Sequence, residues 1–259
     1  MGRHGRLWSL IMNLRYVVIA VVVVVIVVIG VALMLYMPRT TGPSFNELLT
    51  LTNSNTYTVN YNYYIYSNIA GQSNTENYLF TYSQRGTTDR YIFVTTTSYP
   101  QTSLYIVTTQ LSNGTILQCI VEPIGAGCSA VNQTFNLVNL ALPVINSSRF
   151  TFTGTQKILG YNTYCYASRN TTTLGSIMPS AIESGLGSLP VNITSEVCMT
   201  QDGVPLLVKL SIFGSLSVSG YSAPINMTQM LQATNVQDGT YLSSNATLLL
   251  GKLGVNMTG

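Results

Sequence analysis

Four cysteines are the side chains whose type most readily does chemistry: Cys119, Cys128, Cys165 and Cys198. In an oxidising compartment thiols pair as disulfides, and four of them allow three connectivities. Local patterning favours Cys119–Cys128 and Cys165–Cys198. Residues 117–121 read as a strand, followed by the Gly-rich return Gly125-Ala126-Gly127-Cys128. Tyr164-Cys165-Tyr166 and Val197-Cys198-Met199 read as two strand centres able to pair side by side. A metal site is the rival reading, but none of the cysteines has C-x2-C spacing, and the sole histidine, His4, lies ahead of a long apolar run.

Acid–base chemistry has fewer parts. Residues 38–259 hold no histidine, and their eight acids (Glu47, Glu76, Asp89, Glu122, Glu183, Glu196, Asp202 and Asp238) are scattered. Hydrolysis needs a nucleophile with a base, or paired carboxylates. The sequence has no G-x-S-x-G, no Gly-rich phosphate loop and no metal-ligand cluster. We therefore expect no enzymatic activity and no cofactor. The same stretch carries eight Lys/Arg, so it is neutral overall and offers no basic face for nucleic acid.

Eight N-x-S/T sequons could accept glycans, at Asn113, Asn132, Asn146, Asn170, Asn192, Asn226, Asn245 and Asn256. A chain this rich in Asn, Ser and Thr carries several by chance, so some and not all are expected to be modified. Modification requires that they lie outside the cell membrane.

The elements that position these residues begin with the apolar run from Tyr16 to Met37. As a helix, 22 residues span roughly 33 Å, enough for a bilayer core. Arg3, Arg6 and Arg15 precede it and no acid does, which places the N-terminus in the cytoplasm. A cleaved signal peptide is the alternative, with Gly30-Val31-Ala32 as its small-x-small site. The apolar residues continuing through Met37 suit an uncleaved anchor better. The expected organisation is a cytoplasmic N-terminus (1–15), a transmembrane helix (16–37), a linker (38–43) and an extracytoplasmic β-rich domain (44–259).

Within that domain, Ser44-Phe45-Asn46-Glu47 has the form of a capping box opening a short helix to about Leu51. From Tyr57 the apolar period becomes two: Tyr57, Val59, Tyr61, Tyr63 and Ile65 share one face. Strand-like runs follow at 77–82, 91–96, 104–110, 116–121, 149–155 and 157–166, separated mostly by turn residues, which predicts an antiparallel meander. Residues 196–200 and 206–213 form a hairpin around Asp202-Gly203, with Leu206, Val208, Leu210 and Ile212 on one face. Later strands are expected near 216–221 and 232–237. Residues 134–142 could form a short helix, and 246–250 a helix or a last strand. Ile177, Met178, Ala181, Ile182 and Leu186 give a helical stripe, read as a covering helix or as a movable lid.

Two motifs bring a family to mind: Gly154 to Tyr166, ending Tyr164-Cys165-Tyr166, and Val197-Cys198-Met199-Thr200-Gln201-Asp202-Gly203-Val204-Pro205-Leu206. This layout resembles the curved half-barrel domains of LolA-like lipoprotein carriers, over about residues 44–237. The resemblance implies a mainly β fold in which one antiparallel, curved sheet wraps two or three short helices and holds an apolar, lipid-like ligand in its concave face. Tyr57, Val59, Tyr61, Tyr63, Ile65, Leu206, Val208 and Leu210 are the candidate lining, although as apolar strand faces they are expected first of all to be plain core. The charge-poor, Tyr-, Thr- and Asn-rich composition resembles surface proteins of thermoacidophilic archaea. The expected partners are the lipid bilayer with a lipid-like ligand or envelope proteins. The alternative function is structural, as an envelope or filament subunit. An apolar N-terminal helix with a β-rich head resembles archaeal pilins, although Asn13-Leu14-Arg15-Tyr16 lacks the small residue of their processing site.

Overall fold

A computed structural model describes residues 42–255, apart from 133, 135–136, 139–141, 143–146, 179, 184 and 219–220. The expected membrane span, 16–37, lies outside the described residues, among which no helix is long and apolar enough to cross a membrane.

Helix α1, Phe45–Ser54, opens on the expected capping box. The Glu47 amide donates to Ser44 Oγ at 3.2 Å, and the Ser44 amide donates to the Glu47 carboxylate at 3.4 Å. The helix runs three residues beyond the expected Leu51. Thr50, Thr52 and Ser54 return their hydroxyls to main-chain carbonyls one turn back, which holds these short polar residues in the helix.

Among the described residues eleven strands follow: β1 Tyr57–Ile69, β2 Gln72–Arg85, β3 Asp89–Thr96, β4 Ser103–Gln110, β5 Ile116–Glu122, β6 Gly125–Val131, β7 Thr151–Ile158, β8 Tyr161–Thr173, β9 Pro190–Thr200, β10 Pro205–Val218 and β11 Tyr221–Asp238. They form one open antiparallel sheet in the order β6-β5-β4-β3-β2-β1-β11-β10-β9-β8-β7. Two consecutive meanders, β1–β6 and β7–β11, thus meet along β1 and β11 alone, in a register from Tyr57 opposite Asp238 to Ile69 opposite Ile225.

Two expected strands are corrected. Residues 157–166 are not one strand, because Leu159 and Gly160 both adopt positive φ (52° and 85°) and turn the chain between β7 and β8. The expected strand 216–221 is divided between the end of β10 and the start of β11. The tail resolves as helix α3, Ser243–Lys252, and the stripe at 177–186 yields only a four-residue helix α2, Ser180–Glu183. The stripe lies in an excursion closed at its base, where the Leu174 and Gly175 amides donate to Leu189 and Gly187 carbonyls at 2.8 and 2.9 Å.

Alternation gives the sheet two cores. On one face Tyr57, Val59, Tyr61, Phe80, Tyr82, Val197, Leu206 and Val208 pack with Phe45 and Leu48 of α1. On the other, Tyr91, Val107 and Cys119 pack with Ala246 and Leu250 of α3. Full burial of side chains such as Leu48 and Leu250 contributes roughly 2 kcal/mol each. Both favoured disulfides are present: Cys119–Cys128 ties β5 to β6, and Cys165–Cys198 ties β8 to β9.

Candidate functional site

The expected lining residues converge, but beneath α1. Tyr57, Val59 and Tyr61 on β1 and Leu206, Val208 and Leu210 on β10 are each no more than 5% exposed. Leu231 of β11 bridges them, standing opposite Tyr63 on one side and Val208 on the other. The Tyr61 hydroxyl donates to the Pro205 carbonyl at 2.6 Å, closing the interior between β1 and the hairpin. Tyr63 and Ile65 stand half-buried at the margin.

From that margin the same face runs outward into a cleft. Tyr61, Phe80, Val94 and Leu104 form one cross-strand row over β1, β2, β3 and β4. The first two are buried and the last two half-buried. Where the row opens, Tyr78, Val94, Leu104, Pro123 and Ile124 line a space of about 460 Å³, with Thr96, Thr102, Ser103 and Glu122 at its polar rim. Ile124 is 94% exposed at the β5–β6 turn. The Tyr63 ring lies 5.7 Å from the Tyr78 ring and joins the packed core to the cleft. Tyr78 donates its hydroxyl to the Glu76 carboxylate, which pushes its pKa up to about 12, with burial adding to the effect.

Sequence reasoning missed this cleft, because three strands and a turn supply its walls. The available signal was a surplus of one-face apolar positions, at residues 78, 80, 82, 92, 94, 104 and 106, with no helix nearby in sequence to cover them. A second space, about 500 Å³, lies under α3 on the opposite face, between Tyr91, Phe93 and Tyr105 and the helix residues Leu248, Leu249 and Lys252.

A buried polar network closes the C-terminal end of α1. Arg90 is 1% exposed, and its guanidinium donates to the carbonyls of Gly86, Thr87 and Asp89 and, at 3.4 Å, to that of Asn53. Gln84 Nε2 donates to the carbonyls of Thr52 and Asn55, and Gln84 Oε1 accepts from the Tyr82 hydroxyl at 3.0 Å. Of these acceptors, the Thr52 and Asn53 carbonyls belong to the last turn of α1, which leaves them without intrahelical partners. Burial pushes the Tyr82 hydroxyl upward, against the opposing pull of Arg90.

Three of the acids are held in separate local roles. Glu47 caps α1, Asp89 receives Arg85 at 2.7 Å and the Thr109 hydroxyl at 2.9 Å, and Asp238 caps its own turn at the Gly239 amide. Among the described residues, no three His, Cys, Asp or Glu side chains are grouped to hold a metal ion.

No family model and no curated protein matches this chain. Among solved structures it is similar to a DUF1329 family protein from Desulfovibrio piger, at 9% identity over 79% of this chain and 96% of that one, with a TM-score of 0.31. It is also similar to a domain described as an outer membrane lipoprotein-sorting protein, from Vibrio parahaemolyticus, at 9% identity, covering 79% and 95%, with a TM-score of 0.31. A third is the Pseudomonas aeruginosa MucA/MucB complex, at 11% identity, covering 77% of this chain but only 57% of that one, with a TM-score of 0.30. The second is of the lipoprotein-sorting kind that the Gly154–Tyr166 and Val197–Leu206 motifs resemble. At these TM-scores the similarities assign no function, and none of them bears on the compositional likeness to archaeal surface proteins.

Proposed function

We propose that this is a membrane-tethered, extracytoplasmic, non-catalytic binding module whose curved sheet holds an apolar, lipid-like ligand in the cleft at Tyr78, Val94 and Leu104. The observation that carries this reading is the row Tyr61–Phe80–Val94–Leu104, which leaves the packed core and ends in an uncovered apolar cleft. The volume of the cleft is in the range of small-molecule sites, and its apolar floor with a few polar rim groups is the usual composition of one. The dispersal of the acids, with Glu47, Asp89 and Asp238 each engaged locally, supports binding over catalysis. The bilayer anchor at 16–37 keeps the module at a membrane, where such ligands are found.

Native mass spectrometry of the full chain, released gently from its own membrane, tests the reading. The expected result is a stoichiometric apolar adduct that is lost in Val94→Glu and Leu104→Glu and kept in Leu248→Glu on the opposite face. A wild-type chain with no adduct, or an adduct indifferent to both cleft substitutions, overturns it.

A further inference from the structure

The two edges of the sheet are built differently. Edge strand β7 is irregular, with a register shift between Phe152 and Gly154, and it carries the exposed charge of Lys157. Both features discourage a further strand from pairing there. Edge strand β6, Gly-Ala-Gly-Cys-Ser-Ala-Val, has no charge, no proline and no shift against β5, and six of its seven residues are exposed. The Cys119–Cys128 bond holds the middle of this strand against β5.

That bond also reveals which main-chain groups face outward. Opposed residues in an antiparallel ladder lie about 5.5 Å apart at Cα when they exchange hydrogen bonds and about 4.5 Å when they do not. Cys119 and Cys128 are 4.0 Å apart, so they form a pair without mutual hydrogen bonds. The N–H and C=O of Cys128 therefore point away from β5, and alternation gives Ala126 and Ala130 the same orientation. Three donors and three acceptors stand in a line along the open edge.

We propose that β6 pairs antiparallel with β6 of a second copy of this chain, about a two-fold axis through Cys128, so that two sheets become one. In this register Ala126 faces Ala130 of the second copy, Gly127 faces Ser129 and Gly125 faces Val131. The outward groups of residues 126, 128 and 130 then form six main-chain hydrogen bonds. Small residues meet throughout, the one branched side chain meets a glycine, and no charge repels its symmetry mate. The bulged, charged β7 cannot replace β6 in this seam, so the contact is isologous and closes at two copies instead of running on as a fibre. The pairing ends at Val131 and leaves the sequon at Asn132 outside it.

The test is the protein mass of the full chain in detergent micelles by light scattering, with the Cys119–Cys128 bond checked by peptide mapping. Wild type is expected at twice the chain mass. Ala126→Lys with Ala130→Lys sets like charges opposite each other and is expected to halve the mass. Ala126→Lys with Ala130→Glu sets opposite charges there and is expected to restore the dimer. A monomeric wild type overturns the proposal, as does a dimer that the first double substitution leaves intact, since that dimer would be held by another surface such as the anchor.

Discussion

The hydroxyl of Thr52 donates to the carbonyl of Gly203 at 2.5 Å, joining the last turn of α1 to the tip of the β9–β10 hairpin across most of the sequence. Asn55 Nδ2 donates to the neighbouring Asp202 carbonyl at 2.6 Å. The hairpin tip thus accepts hydrogen bonds from the helix it supports, and the contact is close enough to exclude any side chain between them.

Gly203 is accordingly expected to tolerate no substitution. Its φ is +79°, and a Cβ there would lie 2.6 Å from both the Leu48 carbonyl oxygen and the Thr52 amide nitrogen. Gly203→Ala should cost about 3 kcal/mol or more, combining left-handed strain with overpacking. Gly239 provides the control, with φ +66° and nothing within 4 Å of an added Cβ. Gly239→Ala should cost only about 1 kcal/mol. Urea denaturation of the two variants measures the difference, and equal costs would mean that the hairpin tip does not seat α1.

Replacing Arg90 is expected to destabilise the fold more than its charge alone suggests. Arg90→Met removes the donor from four carbonyls, including that of Asn53 in α1. Leaving such groups buried and unpaired should cost about 3 kcal/mol. Arg90→Lys should recover little of it, because one ammonium cannot reproduce the planar fork. Thermal unfolding midpoints of the two variants against wild type check this, and a lysine variant as stable as wild type would refute it.

Alkaline pH is expected to unfold the protein through its tyrosines. Burial holds the Tyr57 and Tyr61 hydroxyls well above their ordinary value, and Tyr166 and Tyr241 are pushed up to about 12, also chiefly by burial. The folded state keeps these protons more tightly than the unfolded chain, whose tyrosines titrate near pH 10. Their contribution is therefore complete below about pH 10 and is lost as pH rises toward 12 and beyond. Tyrosinate absorbance followed together with circular dichroism should show the buried tyrosines ionising only as the β signal disappears. Full ionisation with the fold intact would contradict the burial described.

Glycan occupancy should follow exposure of the amide. Asn113, in a turn, and Asn132, just past β6, are exposed and are the expected sites. Asn226 stands mid-strand between Asn68 and Phe213, with its side-chain oxygen buried, and should be unmodified. Asn170 accepts from Arg149, and Asn192 accepts from Thr171 at 2.9 Å, so both should be modified less than Asn113. Glycopeptide mass spectrometry of material from the native membrane reads all of these directly, and an occupied Asn226 would run against this ordering.

The features legible in the sequence were those written in short windows. The period-two face from Tyr57, the Ser44–Glu47 cap, the Asp202-Gly203 turn and both cysteine pairings each depend on residues near one another or on strand-centre patterning. What escaped depends on partners far along the chain. Three acceptors of Arg90 lie in the adjoining turn, but what buries it is the distant end of α1, whose Asn53 carbonyl it also reaches, and nothing local announces that cover. Tyr57 and Leu206 read as core ahead of lining, and they are core, but nothing near them indicates that α1 is what covers them. The cleft at Tyr78, Val94 and Leu104 escaped for the same reason, since apolar alternation reports a face and not what lies over it.

The seam between β1 and β11 also sets the timing of folding during synthesis. Tyr57 is opposite Asp238, so the first strand made receives its second neighbour only when the last strand has been made. At about 5–20 residues per second, the ribosome imposes a wait of roughly 10–40 s between the two. The first meander can assemble from nearby segments in that interval, but it must hold the aromatic edge of β1 uncovered while the second is being made. The roof over that edge is also incomplete, because α1 cannot seat until the β9–β10 hairpin reaches it. A nascent chain of this topology stays adhesive until nearly its full length is available, and then closes in a single late step.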